Sequence, residues 1–236
     1  MNAHKSSPPL PEKQISAYGL QRRNMLKFFG ASAALITVAS ACKDDNPPLP
    51  LPNDGVNLGS GDVGILNYAY ALEQLEAAFY IRVASSFYAG ITPMEQTFLS
   101  DIRDHEVAHR EFFKAAITGA APTMIIPGLE VDFSSINFGS RASVLGAAKT
   151  FEDLGVAAYN GAGKLLVSPV YLGLAGKIVS VEARHAAAIR ELLAINTFAD
   201  TTDANGLDPA MTPPQVLAAA GTYIKTKINA SNLPTS

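Results

Sequence analysis

One cysteine, no tryptophan and few charges set the first limits on this chain of 236 residues. With Cys42 alone, no intrachain disulfide can brace the fold, so a packed core has to do so. Charged residues make up 17% of the chain and hydrophobic ones 48%, so most helical surface must be buried or lined by alanine. The formal net charge is -3 and no basic run is present, which argues against nucleic acid as a partner. The apolar run Phe28 to Ala41 falls short of the roughly 20 residues that a membrane-spanning helix needs.

That run reads instead as the core of an export signal. Arg22-Arg23 precedes it, similar to the twin-arginine motif of a pathway that carries folded proteins, and Ala39-Ser40-Ala41 supplies small residues before Cys42. Cysteine at this place resembles a lipoprotein processing site, with Ala39 standing where leucine is usual, so Cys42 is the candidate lipidation site. Residues 1–42 are therefore expected to be a signal peptide, and residues 43–61, rich in proline from Pro47 to Pro52, a linker. The expected destination is the periplasm or cell envelope, with membrane contact only through the lipid.

Four long helical patterns follow. The first spans about Asp62 to Phe87, with Leu66, Ala69, Tyr70, Glu73, Glu76, Ala77, Tyr80, Ala84 and Phe87 on one stripe and Asn67, Gln74, Arg82 and Ser85 toward the other side. Thr92-Pro93-Met94-Glu95 opens the second with a capping box and a proline at the first turn, and the pattern runs to about Thr118. Residues 120–139, with Pro122, Pro127, Gly128 and Gly139, form a connection long enough to return the chain to the other end of a bundle. A short strand at Leu129 to Phe133 is compatible with it. The third helix is expected over about Arg141 to Gly163, where Gly155, Gly161 and Gly163 point to close packing. Ser168-Pro169 opens the fourth, to about Ile195, and Thr212-Pro213 a shorter terminal helix to about Asn229. The bundle is thus placed at 62–196 and a C-terminal loop with a short helix at 197–236.

Chemistry enters through a repeated pair. Glu106-Val107-Ala108-His109 and Glu182-Ala183-Arg184-His185 each set a carboxylate and an imidazole one turn apart on an apolar helical face. Ten glutamates and four histidines would give about 0.17 such pairs by chance, so two on core-facing stripes are a strong signal. Each pair follows a lone glutamate, Glu73 or Glu152, which itself precedes a tyrosine, Tyr80 or Tyr159, by seven residues. The chain reads as two copies of one helix hairpin. Four carboxylates and two imidazoles then converge in a dry core without lysine or arginine on the inner stripes, and divalent metal is the simplest compensation. Glu76 shares the face of Glu73 but matches Gly155 in the second copy, so symmetry prefers Glu73, with Glu76 as a supporting partner or alternative ligand. His105 points about 100° away from Glu106 and is expected to be partly exposed or to support a ligand.

This order of ligands resembles the ferritin-like dimetal carboxylate superfamily, over roughly Asp62 to Asn196. Leu72 to Tyr80, behind an export signal, is similar to secreted ferritin-like proteins related to plant desiccation-associated proteins. The resemblance implies an all-α fold: a four-helix bundle with a long crossover between helices two and three and a short C-terminal helix. It also implies Glu73 and Glu152 as terminal ligands, Glu106 and Glu182 as bridges, and His109 and His185 as the nitrogen ligand of each of two ions. Tyr80 and Tyr159 would stand near the metals or simply pack the core. Oxygen-rich coordination suits iron, with manganese the alternative. The expected activity is that of an oxidoreductase acting on dioxygen or peroxide, as a ferroxidase or a peroxidase or catalase. The competing expectation is a metal-binding or desiccation-protective bundle without turnover. Monomer and homo-oligomer both remain open.

Overall fold

Hydroxyl caps or prolines set the starts of the helices that follow the first. The computed structural model describes residues 54–235, so the expected signal peptide, Cys42 and most of the linker lie outside the described residues. Helix α1 covers Gly61–Ser85, α2 Pro93–Ala120, α3 Arg141–Gly163, α4 Pro169–Leu193 and α5 Pro213–Ala220. At α2 the Thr92 hydroxyl accepts from the Glu95 N–H, while the Glu95 carboxylate accepts from the Thr92 N–H at 2.9 Å. Ser140 and Ser168 cap α3 and α4 in the same manner, each accepting from the N–H three residues on.

Short connections make α1 with α2, and α3 with α4, the two most closely packed pairs. Asp62 at the start of α1 accepts from the N–H groups of Val167 and Ser168, so α1 and α4 begin at one end of the bundle. Arg141 at the start of α3 donates to Glu95 at 2.6 Å and to the Leu192 carbonyl, so α2 and α3 begin at the other. Burial opposes ionisation of Glu95, but the Thr92 N–H and the Arg141 guanidinium outweigh it and hold its carboxyl below the usual value. Among the described residues, no helix is long and apolar enough to cross a membrane.

The end of α2 and the start of α3 lie at opposite ends, and residues 121–140 join them by running along α1. Asn67 donates to the carbonyls of Leu58 and Met124 and accepts from the Ile126 N–H. Seven residues further on, Gln74 accepts from the Leu129 N–H at 2.8 Å. Phe79 then packs against Phe133 and Phe138, and Arg82 lies over the Phe138 ring at 5.2 Å. The stripe expected to leave Asn67 and Gln74 on the outer side is therefore corrected. Helix α1 is covered on that side too, and both polar side chains are buried because they serve the crossover backbone.

Two further expectations change. The linker was expected to reach Gly61, but Val56 and Leu58 are buried, and Val56–Asn57 forms strand β1, paired in parallel with β2 at Ile228–Asn229. The terminal helix ends at Ala220 rather than near Asn229, since the following residues leave the helix to pair with the crossover. Val131 and Ile224 make an antiparallel bridge there, within the stretch where a short strand was compatible with the sequence. Gly155 and Gly161 of α3 do mark close approach, whereas a Cβ on Gly163 would make only ordinary contact, 3.7 Å from Leu172. A Cβ on Gly161 would lie 1.8 Å from the Met211 carbonyl oxygen, where the segment before α5 donates its N–H to Ala157.

Candidate metal centre

Helical spacing and burial together build the centre. Glu73 on α1, Glu106 on α2, Glu152 on α3 and Glu182 on α4 are all 0% exposed, and His185 is 5% exposed. The fold brings the six residues singled out in the sequence into two overlapping groups: Glu73, Glu106, His109 and Glu182, and Glu106, Glu152, Glu182 and His185. Within each group, one ligating atom from every residue lies within 4.8 Å of all the others. Glu106 and Glu182 belong to both.

The two hairpins interlock. His109 Nδ1 lies 2.9 Å from Glu182 and 3.5 Å from both Glu73 and Glu106. His185 Nδ1 lies 2.8 Å from Glu106 and 3.4 Å from Glu152. Each imidazole thus comes closest to the carboxylate of the opposite hairpin. The tyrosines cross over in the same manner: Tyr80 on α1 donates to Glu152 at 2.5 Å, and Tyr159 on α3 donates to Glu73. Burial, then the adjacent carboxylate, raises both phenol pKa values well above the ordinary one, so both O–H groups stay protonated and donate. Spacing along one helix placed each tyrosine near its own glutamate; the reach to the opposite one depends on how α1 and α3 face each other.

The ring-to-carboxylate approaches are close but not aligned as hydrogen bonds. Both oxygens of Glu106 and of Glu182, one each of Glu73, Glu76 and Glu152, and Nδ1 of both histidines have no hydrogen-bond partner. Arg103 and Arg110 pair with the acidic residue next to each in sequence, and Arg184 bonds Ser180 on its own helix. Burial raises Glu73 to about 7 and lifts Glu152, and it drives Glu182 and Glu76 well above the carboxylate range, with neighbouring carboxylates adding to the rise. Burial opposes ionisation of Glu106 as well, yet His109 and His185 hold it at about 2. It likewise opposes charge on the imidazoles, but the facing carboxylates win: His185 rises to about 10 and His109 is raised strongly. Buried oxygens and nitrogens aimed at one another, without lysine or arginine to meet them, fit divalent cations in oxygen-rich coordination with one nitrogen per ion.

Glu76 is 3% exposed and belongs to neither group. A Cβ on Gly155 would lie 3.0 Å from its Oε1 and 3.5 Å from Glu182 Oε2, so Glu76 fills the space that its counterpart in the other hairpin leaves empty. His105 is exposed, as expected, yet its Nδ1 lies 2.9 Å from His185 Nε2 and the rings are nearly parallel, at 10°. Nothing in the period of α2 signals that contact, because the partner is on α4.

A bundle with a buried carboxylate and imidazole cluster on four inward helical faces defines a class of helical metal-site scaffolds. The sequence model of one family, described as the ferritin-like domain, matches residues 61–194, and the chain belongs to that family. No curated protein was found to match the chain.

Proposed function

We propose that the chain is an exported protein that holds two iron ions, or manganese in their place, and acts as an oxidoreductase on dioxygen or peroxide. One observation carries the reading: the unpartnered carboxylate oxygens and imidazole nitrogens of the two overlapping groups. Glu106 and Glu182, common to both groups, would be shared by the two ions. Glu73 with His109, and Glu152 with His185, would complete one side each. Bound iron would supply the electrons that reduce dioxygen or peroxide, and bound manganese would support peroxide disproportionation. The protein's own part is to keep water from the carboxylates, to hold Glu73 and Glu152 through the tyrosine O–H groups, and to keep those phenols protonated. Export rests on Arg22-Arg23 and the apolar run up to Cys42, with Cys42 proposed as the lipidated residue.

The complete burial of the carboxylates also supports a second reading, a bundle that holds metal for stability or desiccation protection without turnover. Metal analysis of the purified protein, followed by anaerobic loading with ferrous iron and absorbance after oxygen or peroxide, separates the two. Two ions per chain and an oxidant-dependent spectrum are expected. Stoichiometric iron silent to both oxidants leaves only the second reading, and absence of metal binding overturns both. Glu106→Ala or His185→Ala should lose at least one ion, and Glu76→Ala should lose less; equal loss in all three would shift the choice from Glu73 toward Glu76.

A further inference from the structure

We propose that His105 is a positioning residue that makes the two halves of the centre unequal, by holding His185 through the ring nitrogen that faces away from the carboxylates. The inference rests on the metal-binding reading above. His185 turns Nδ1 toward Glu106 and Glu152, which leaves Nε2 as its outward nitrogen, 2.9 Å from His105 Nδ1. With Nδ1 committed inward, Nε2 carries the hydrogen and donates, and His105 Nδ1 accepts. A hydrogen bond to the outer nitrogen fixes the tautomer and orientation of a ligating imidazole and strengthens it as a donor to metal. His109 has no equivalent, since no hydrogen bond to its outward nitrogen occurs among the described residues.

The surroundings of His105 match this role. His105 and His185 line a cleft of about 160 Å³ between α2 and α4, together with Asp101, Val181, Arg184 and Ala188. His105 is thus exposed on one side and bonded to a buried ring on the other, joining an open cleft to one half of the buried carboxylate cluster. The lone glutamates do not create this inequality, because each is held by a tyrosine from the opposite hairpin. Between the two imidazoles, it arises at His185.

The test compares the full chain with His105→Phe, which keeps a ring but removes the acceptor, and His105→Asn, whose Oδ1 can stand near the place of Nδ1. Manganese(II) is titrated anaerobically and the free ion is counted by paramagnetic resonance. His105→Phe should weaken one of the two binding steps by about 10-fold to 100-fold and leave the other within about threefold, with His105→Asn restoring the weakened step. Unchanged binding in His105→Phe, or equal weakening of both steps without rescue by asparagine, overturns the proposal. If the unaltered chain binds neither manganese nor ferrous iron, the metal reading fails on its own. Crystal structures of the metal-free variants then decide about His105. The His185 ring should leave its orientation toward Glu106 in His105→Phe and keep it in His105→Asn, and an unmoved ring in the phenylalanine variant rejects the positioning role.

Discussion

Tyr159 and Glu73 show how much of the centre depends on single atoms. The phenol donates to a carboxylate that is 0% exposed and has a second oxygen without a partner. Removing one partner of a buried hydrogen bond leaves the other desolvated, which costs about 1–3 kcal/mol. Tyr159→Phe should therefore destabilise the metal-free protein by roughly that amount, and Tyr80→Phe by a similar amount through Glu152. Denaturant unfolding after chelation measures both. A loss well below this range in either variant would mean that the tyrosine there only packs. The carboxylates and imidazoles were legible in the sequence because their spacing is local: one turn of helix fixes Glu106 against His109 and Glu182 against His185. The tyrosine bonds, the fit of Glu76 against Gly155 and the contact of His105 with His185 were not. Each joins residues on different helices, and no period along one helix encodes which partner stands opposite.

Helix α1 makes the same point at the scale of an element. Its apolar face is readable, and Arg82 and Ser85 do lie exposed off that stripe, but Asn67 and Gln74 do not. They are buried because the crossover lies on them, satisfying backbone groups at Leu58, Met124, Ile126 and Leu129. A sequence period reports only that a polar residue lies off the apolar stripe, and a buried partner for backbone amides looks the same as a solvated face. Asn67 makes three hydrogen bonds, each worth about 1 kcal/mol net, so Asn67→Ala should cost roughly 3 kcal/mol and loosen the start of the crossover. Limited proteolysis is expected to cut within residues 121–140 faster in the variant, while the interior of α3 and α4 stays protected. Cleavage at the unaltered rate would show that aromatic packing at Phe133 and Phe138 holds the crossover without Asn67. The helix boundaries themselves were more legible than their surroundings. Thr92-Pro93 and Ser168-Pro169 act on the next turn only, whereas β1 and β2 pair residues from the two ends of the described chain.

For the whole molecule, the buried cluster ties stability to pH and to metal together. Burial raises Glu73 to about 7 and lifts Glu152, Glu76 and Glu182 above their ordinary range. In the metal-free fold these groups keep protons that the unfolded chain releases near pH 4.3, so their contribution is full below about pH 4.3 and is lost as pH rises through the folded values. The imidazoles act in the same direction. His185, at about 10, and His109, also raised, contribute stability below about pH 6.5 that disappears as pH rises through the folded values. Glu106, held at about 2, and Glu95, also lowered, oppose the trend: their contributions are present above about pH 4.3 and lost as pH falls through the lower folded values. Between about pH 5 and about pH 8 the raised groups dominate, and the melting temperature of the chelated protein should fall across that range. Divalent metal competes with the same protons for the same oxygens and nitrogens, so binding should release protons, and the rise in melting temperature on adding metal should grow with pH. Thermal melts of chelated and metal-loaded protein across this range, with calorimetry in two buffers of different ionisation enthalpy, measure both effects. A metal-free melting temperature that climbs steadily toward about pH 8, or metal uptake without proton release, would show that the carboxylates are already ionised and matched by charge of another kind.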